Sequence, residues 1–227
     1  MAIPMGTPMT ESAGLLKLMS WLSPVFPIGG FAYSAGLEQA VHSGQVSDGN
    51  TLSDWIEVQI TQGAQWNDAV ILVQAHGGWE DRAKLAELSE LCLALCVGQE
   101  RLNETVRQGT SFLDAVSHWV GPDHFPGRQT PLPVAVGVAS GVEDIDPSLT
   151  AGAYLHAFAS NQLQCAIRLS VVGQGGAARA LAGLEATIAQ TAERAANSTL
   201  EDLGASAFIA DIASMKHEIL EPRLFLS

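Results

Sequence analysis

Cys92 and Cys96 stand four residues apart, the spacing with which one helical face could grip a soft metal ion. A structural zinc site takes about four ligands, and no CxxC or nearby histidine pair supplies the rest. Both cysteines fall on an apolar stripe and read as small buried hydrophobes. The six histidines, His42, His76, His118, His124, His156 and His217, form no HxH or HExxH spacing. A Ser-His-Asp or Cys-His group converges in space rather than in sequence, so hydrolase chemistry finds no support here. The glycine pair in PIGGFAYSAG (27–36) lacks the lysine and hydroxyl that a phosphate-cradling loop places on the following helix. It reads as a turn on Gly29 and Gly30 with Phe31 packed down. Asn161 and Arg168 lie inside a long apolar helix, where a charge needs a partner or a path to water. An internal hydrogen-bond network and a polar ligand site both fit them. The closing stretch SMKHEILEPRLFLS (214–227) sets Arg223 beside Leu224 and Phe225, the composition of a binding hot spot. Left free it would be an apolar liability, so it either folds back on the body or docks into something else.

Bulk composition narrows the partners. The chain has 227 residues, enough for one large domain or two small ones, and 47% of them are hydrophobic against 15% charged. That charge content is low for a free-standing soluble protein and suggests surface covered by a partner. The net charge of −13 argues against nucleic acid, whose affinity rests on Lys and Arg at phosphates, and against an anionic membrane surface. Three cysteines make no disulfide framework, and the first residues, MAIPMGTPMTESAG, lack a basic start and apolar core of a signal peptide. The expected compartment is therefore reducing and cytoplasmic.

The elements that must position these residues are helical throughout. Residues 1–13 read as a flexible arm and 14–22 as a short helix ended by Pro24. A loop runs to about Phe31, and Tyr33, Leu37 and Val41 mark one face of a helix over 32–42. Thr51 with Asp54 resembles a capping box opening a helix from Leu52 to about His76, kinked at Gly63. Residues 80–97 carry the stripe Leu85, Leu88, Cys92 and Leu95, and residues 99–120 carry Leu102, Val106, Leu113, Val116 and Val120. A long proline-rich loop (121–133) follows, then helices at 133–142, 148–172, 177–196 and 199–211. Period-two strand patterns are absent. The fold expected is all-α, a single-domain bundle of roughly eight to ten helices over 14–211. The segment 212–227, with Pro222 inside it, is set apart as a partner-binding tail.

SPVFPIGGFAYSAGLE (23–38) resembles the N-terminal signature of the F-type urease accessory proteins, the UreF family. ETVRQGTSFL (104–113), PLPVAVGVAS (131–140), YLHAFASNQLQCAIRLSVVGQ (154–174) and DIASMKHEILEPRLFLS (211–227) follow in the family's order. The resemblance spans the chain from about residue 14 onward. Two places depart from the family pattern: GQGGAAR (173–179) replaces a more polar turn, and Leu226 stands where the family's tail carries a second arginine.

The resemblance implies an all-α, non-enzymatic maturation factor with no cofactor of its own. It implies a homodimer that binds the D-type accessory protein (UreD, also called UreH). The pair recruits the GTPase UreG, and the assembly acts on apo-urease to insert nickel. The opening loop and the tail become ordered on the D-type partner. By motif position Tyr33 and Arg223 would recruit partners, with Phe31, Gly29, Gly30, Leu224, Phe225 and Ser227 around them. The alternative is a regulator of GTP hydrolysis by UreG, with Arg223 as an arginine finger worth about 10³–10⁵ in rate. A third reading is a helical enzyme with a polar site around Asn161 and Arg168.

Overall fold

The structure, a computed structural model, describes residues 11–227. Ten α-helices follow one another: α1 (Glu11–Trp21), α2 (Leu37–His42), α3 (Gly49–Gln62), α4 (Ala64–Gly77), α5 (Arg82–Ala94), α6 (Gln99–Val116), α7 (Leu132–Val142), α8 (Pro147–Arg168), α9 (Gln174–Ala196) and α10 (Phe208–His217). Short 3₁₀ turns lie at Gly30–Ala32, Pro122–His124 and Leu200–Asp202, and the described residues contain no strand. The all-α bundle expected from periodicity is what the chain forms. Residues 1–10 of the expected arm lie outside the described residues, and Glu11 to Ala13 are already the first turn of α1.

Helix α7 is the hub. Residues 132–141 of it are all buried, and it packs against α4, α6 and α8. Glycine makes the closest approach possible. A Cβ on Gly137 would sit 2.3 Å from the Leu72 carbonyl oxygen, and one on Gly141 would sit 2.5 Å from that of His76. Gly137 and Gly141 are one turn apart on the same face, so α7 lies main chain to main chain on α4. Around this pair α8 packs on α9, α3 on α9, and α10 on α2.

Local chemistry moved several boundaries. The cap of α3 is Asp48, whose carboxylate accepts from the Asn50 and Thr51 N–H groups, while the Thr51 hydroxyl accepts from Asp48 N–H. Thr51 is thus the third helical residue of the box rather than its first member. Gly63 breaks the long helix instead of kinking it: its backbone is extended, and a Cβ there would meet Gln59 main-chain atoms at 2.8 and 2.9 Å. The helix expected over 199–211 is instead a 3₁₀ turn capped by Thr199, an extended stretch, and then α10.

The largest departure is on α6. Val116 is buried as expected, and so is Val120 beyond its end, but Leu102, Val106 and Leu113 are only half-buried. The buried face is Glu104, Thr105, Gln108, Gly109 and Phe112. Gly109 permits this, because a Cβ there would lie 2.0 Å from the Thr130 carbonyl oxygen. The Thr105 hydroxyl accepts from Leu132 N–H at the start of α7. Asp68 of α4 accepts from Arg101 and from the Tyr154 hydroxyl of α8. The polar face of α6 is thus satisfied inside the bundle, and each of its groups finds a partner.

Candidate partner-binding site

The site is made where the opening loop and the closing segment meet. Phe26 anchors the start of the loop against Phe112 of α6, with ring centroids 5.5 Å apart. The chain then turns on Gly29, at φ 73°, into the 3₁₀ turn Gly30–Ala32. Tyr33 is extended, Ala35 has φ 50° and Gly36 φ 81°, so Tyr33 precedes α2 rather than lying on its face. A Cβ on Gly36 would come 2.8 Å from Ser214 N, which fixes glycine where the loop crosses α10.

Helix α8 grips the loop by its carbonyl groups. Asn161 donates to Tyr33 O at 3.0 Å, Gln162 to Ser34 O at 3.0 Å, and Arg168 to Phe31 O at 2.7 Å. The Cys165 thiol also points at Tyr33 O, and burial pushes that thiol up to about 12. These are the polar residues that stood out inside an apolar helix, and an internal network is what they form.

The closing segment folds back along the loop. Leu226 N–H donates to Ala32 O and Ser34 N–H to Ser227 O, each at 2.7 Å, so 32–34 and 226–227 lie side by side. Phe225 is 2% exposed, with the Arg168 guanidinium 4.2 Å above its ring. The Ser227 hydroxyl donates to Glu104 at 3.0 Å. Burial pushes the Glu104 carboxyl above its ordinary value, although Arg101 and Ser227 pull against that.

Carboxylates fasten the segment. Glu38 of α2 accepts from Leu224 N–H (2.7 Å), Phe225 N–H (3.0 Å) and His217 Nε2 (3.0 Å). Burial alone would raise this carboxyl, but the hydrogen bonds from His217 and the two amides outweigh it and hold it below 4.5. Glu100 of α6 takes His217 Nδ1 at 2.7 Å and also binds Arg223. Glu218 accepts from Gln99 and Glu100 N–H at 2.6 and 3.2 Å, capping α6 with a side chain from the tail.

The expected site residues therefore share one region but face different ways. Tyr33, Phe225 and Ser227 are buried. Arg223 is partly exposed beside Glu100, and Leu224 is 54% exposed. Phe31, expected to pack down, is instead 47% exposed, because only its carbonyl is held by Arg168. Gly29 and Gly30 have nothing within 4 Å of an added Cβ. Sequence reasoning missed Glu38, Glu100, His217 and Glu218, whose link exists only across the fold. Two apolar surfaces flank the region. A groove of about 890 Å³ between α1, the opening loop, α8 and α9 is lined by residues such as Leu15, Met19, Phe26, Ala153 and Ile188. The outer face of α10 exposes Phe208, Ile209, Ile212 and Met215. Cys92 and Cys96 are free thiols, and the described residues contain no group of His, Cys, Asp and Glu arranged to hold a metal.

The family model for UreF matches residues 46–185. The chain belongs to the UreF family. The urease accessory protein UreF of Rhizobium etli is 47% identical over 221 residues, covering 96% of this chain and 98% of its own length. UreF 1 of Brucella anthropi is 45% identical over 216 residues, covering 94% of each chain. UreF of Mesorhizobium japonicum is 44% identical over 223 residues, covering 97% of this chain and 100% of its own. The UreF model starts at residue 46, beyond the opening loop, and ends at 185, before the tail, whereas the relatives align across nearly the whole chain. No helix among the described residues is long and apolar enough to cross a membrane.

Proposed function

We propose that this chain is a non-catalytic factor in urease maturation. It is a cytoplasmic homodimer that binds the D-type accessory protein UreD (UreH) and recruits the GTPase UreG for nickel insertion into apo-urease. Family membership supports the maturation role. The observation that supports the rest is the docking of residues 224–227 on α2 and the opening loop. It leaves Phe31, Arg223 and Leu224 exposed around the strip while Tyr33, Phe225 and Ser227 are buried beneath it. A positioned arginine beside exposed aromatic and aliphatic groups has the make-up of a binding hot spot. A homodimer and two accessory proteins need apolar surface, and the groove and the outer face of α10 provide it.

The test is light scattering after size-exclusion chromatography, with UreD, UreG and GTP, on the intact chain, the chain cut after Lys216, and Arg223→Ala. The intact chain is expected to form the full complex. The cut chain, which loses His217 and the tail together, is expected to lose the GTPase. A cut chain that assembles as well as the intact one would remove the tail from the recruiting surface.

The reading in which Arg223 regulates GTP hydrolysis competes with this one. Glu100 already holds the Arg223 guanidinium, which favours a positioned contact over a swinging finger. GTPase rates with wild-type and Arg223→Ala protein at saturating concentration decide it, because a finger predicts a fall of about 10³-fold or more.

A further inference from the structure

His217 is the last residue of α10 and is fully buried, and both of its ring nitrogens face carboxylates. Nδ1 lies 2.7 Å from Glu100 and Nε2 lies 3.0 Å from Glu38. An ionised carboxyl only accepts, so two hydrogen bonds at this ring need two N–H groups. A neutral imidazole has one. Its other nitrogen would turn a lone pair toward a carboxylate inside the protein, which is unfavourable.

Both acids are committed to further donors. Glu38 also takes Leu224 and Phe225 N–H, and Glu100 also takes Arg223. Those donors favour the ionised carboxyls, and Glu38 is held below 4.5. The proton that completes the cluster therefore belongs on the imidazole. With it, two carboxylates face an imidazolium and a guanidinium, and the charges cancel. Without it, the cluster is left with one net negative charge. The neighbouring charged groups are engaged elsewhere or exposed. On α6, Arg101 is bound to Asp68, and Glu104 accepts from Ser227. His42, one turn beyond Glu38 in α2, is exposed, as is Lys216 of α10. Glu218 caps α6, and Arg168 of α8 lies over the Phe225 ring. Asp211 stands earlier on α10, with its carboxyl raised by burial.

We propose that the tail is held by a proton-linked clasp: residues 218–227 dock while His217 carries a proton on both ring nitrogens, and loss of one of them to solvent loosens the tail. The link is structural, because Glu38 and Glu100 each hold the ring and the tail at once. The carboxylate that faces a bared nitrogen turns away from it, and so lets go of either the 224–225 amides or Arg223. A released histidine titrates near its ordinary value of about 6.5. This contribution to docking is thus complete below about 6.5. It falls progressively above that value until the docked cluster gives up the proton too. The clasp belongs to the chain alone and is tested without partners.

The experiment is hydrogen exchange at the Leu224, Phe225, Leu226 and Ser34 amides from pH 6 to 8.5, corrected for intrinsic exchange, with the α7 amides as reference. It compares the full-length wild type, His217→Gln and Glu100→Gln. In the wild type the tail-opening constant should rise by up to about tenfold per pH unit above about 6.5, the slope of one proton released on opening. His217→Gln cannot donate from both ends of a ring, so its tail should be loose at every pH and show no slope. Glu100→Gln should keep the tail docked and flatten the slope. Its amide oxygen still receives Arg223, and its NH₂ donates to the Nδ1 of a neutral ring, so no extra proton is needed. At pH 8.5 its tail should be protected at least as well as that of the wild type, an outcome that simple loss of an ion pair would not give. Ring ¹⁵N shifts of His217 at pH 7 should show both nitrogens protonated. A wild-type opening constant that changes less than about twofold from pH 6.5 to 8.5 overturns the clasp. So does a slope that persists in both variants, a bare ring nitrogen at pH 7, or a tail unprotected at every pH.

Discussion

Replacing Glu38 by glutamine should loosen the tail without unfolding the bundle. Its Oε1 takes Leu224 N–H, and its Oε2 takes Phe225 N–H and His217 Nε2. A glutamine has one carbonyl oxygen, so whichever acceptor is kept, an NH₂ group is turned toward a donor at the other. At least one buried donor is left unmet, and the remaining bonds lose their charge assistance. Bonds to a charged group are worth about 1.5–3 kcal/mol each, so a loss of about 2–3 kcal/mol in tail docking follows. At 1.4 kcal/mol per factor of ten, that opens the tail about 30- to 150-fold more often. Hydrogen exchange reads this directly through the amides of Leu224, Phe225, Leu226 and Ser34, with the amides of α7 as the internal reference. The tail amides should lose protection by that factor while α7 keeps its own. The same carboxyl supplies a sign in pH. It is held below its ordinary 4.5, so its contribution is complete above that value and is lost as pH falls through the lower folded-state value. Tail protection in the wild type, corrected for intrinsic exchange, should therefore fall in acid before that of α7. Unchanged tail protection in Glu38→Gln, or loss of α7 and tail protection together, would refute the idea that this carboxylate is the fastening of a separately opening segment.

Three other outcomes follow from the packing. Gly137→Ala should lower stability by about 1–3 kcal/mol, or more if α7 cannot shift, since the new methyl meets the Leu72 carbonyl at 2.3 Å; chemical denaturation measures it. Glu104 is pushed above its ordinary value by burial, so its favourable contribution is present in acid and lost as pH rises through the raised value. Glu104→Gln should therefore gain on the wild type between acid and neutral pH, and a constant difference would contradict this. Cys165, pushed up to about 12 by burial, should resist iodoacetamide at pH 8 in the folded protein and react once unfolded.

Much of the bundle is legible in the sequence because apolar periodicity is a local property. The stripe Leu85, Leu88 and Cys92 is the buried face of α5. Residues 133–142 are so uniformly small and apolar that only a buried hub fits them. The errors arise where a distant partner changes the value of a residue. Glu104 and Gln108 look solvent-facing by type, yet α6 turns them inward because Arg101, Ser227 and the main chain at 130–132 are there to receive that face. Tyr33, Leu37 and Val41 have helical spacing, but Ala35 and Gly36 take positive φ, and the spacing is accidental.

The site was legible in its ends and not in its middle. The apolar loop and the apolar tail each look incomplete alone, which is why both draw attention as sequences, and the fold explains each by the other: 32–34 receives 226–227. What joins them is a set of acids and one histidine at positions 38, 100, 217 and 218, drawn from three separate segments: α2, the start of α6 and the end of α10. No spacing rule relates those positions. Their chemistry still constrains the outcome, because a buried histidine between two carboxylates and a tail arginine on one of them must be satisfied together or not at all. That coupling makes the docked tail a positioned surface rather than a loose end, with Arg223 held on Glu100 and the Leu224 main chain on Glu38.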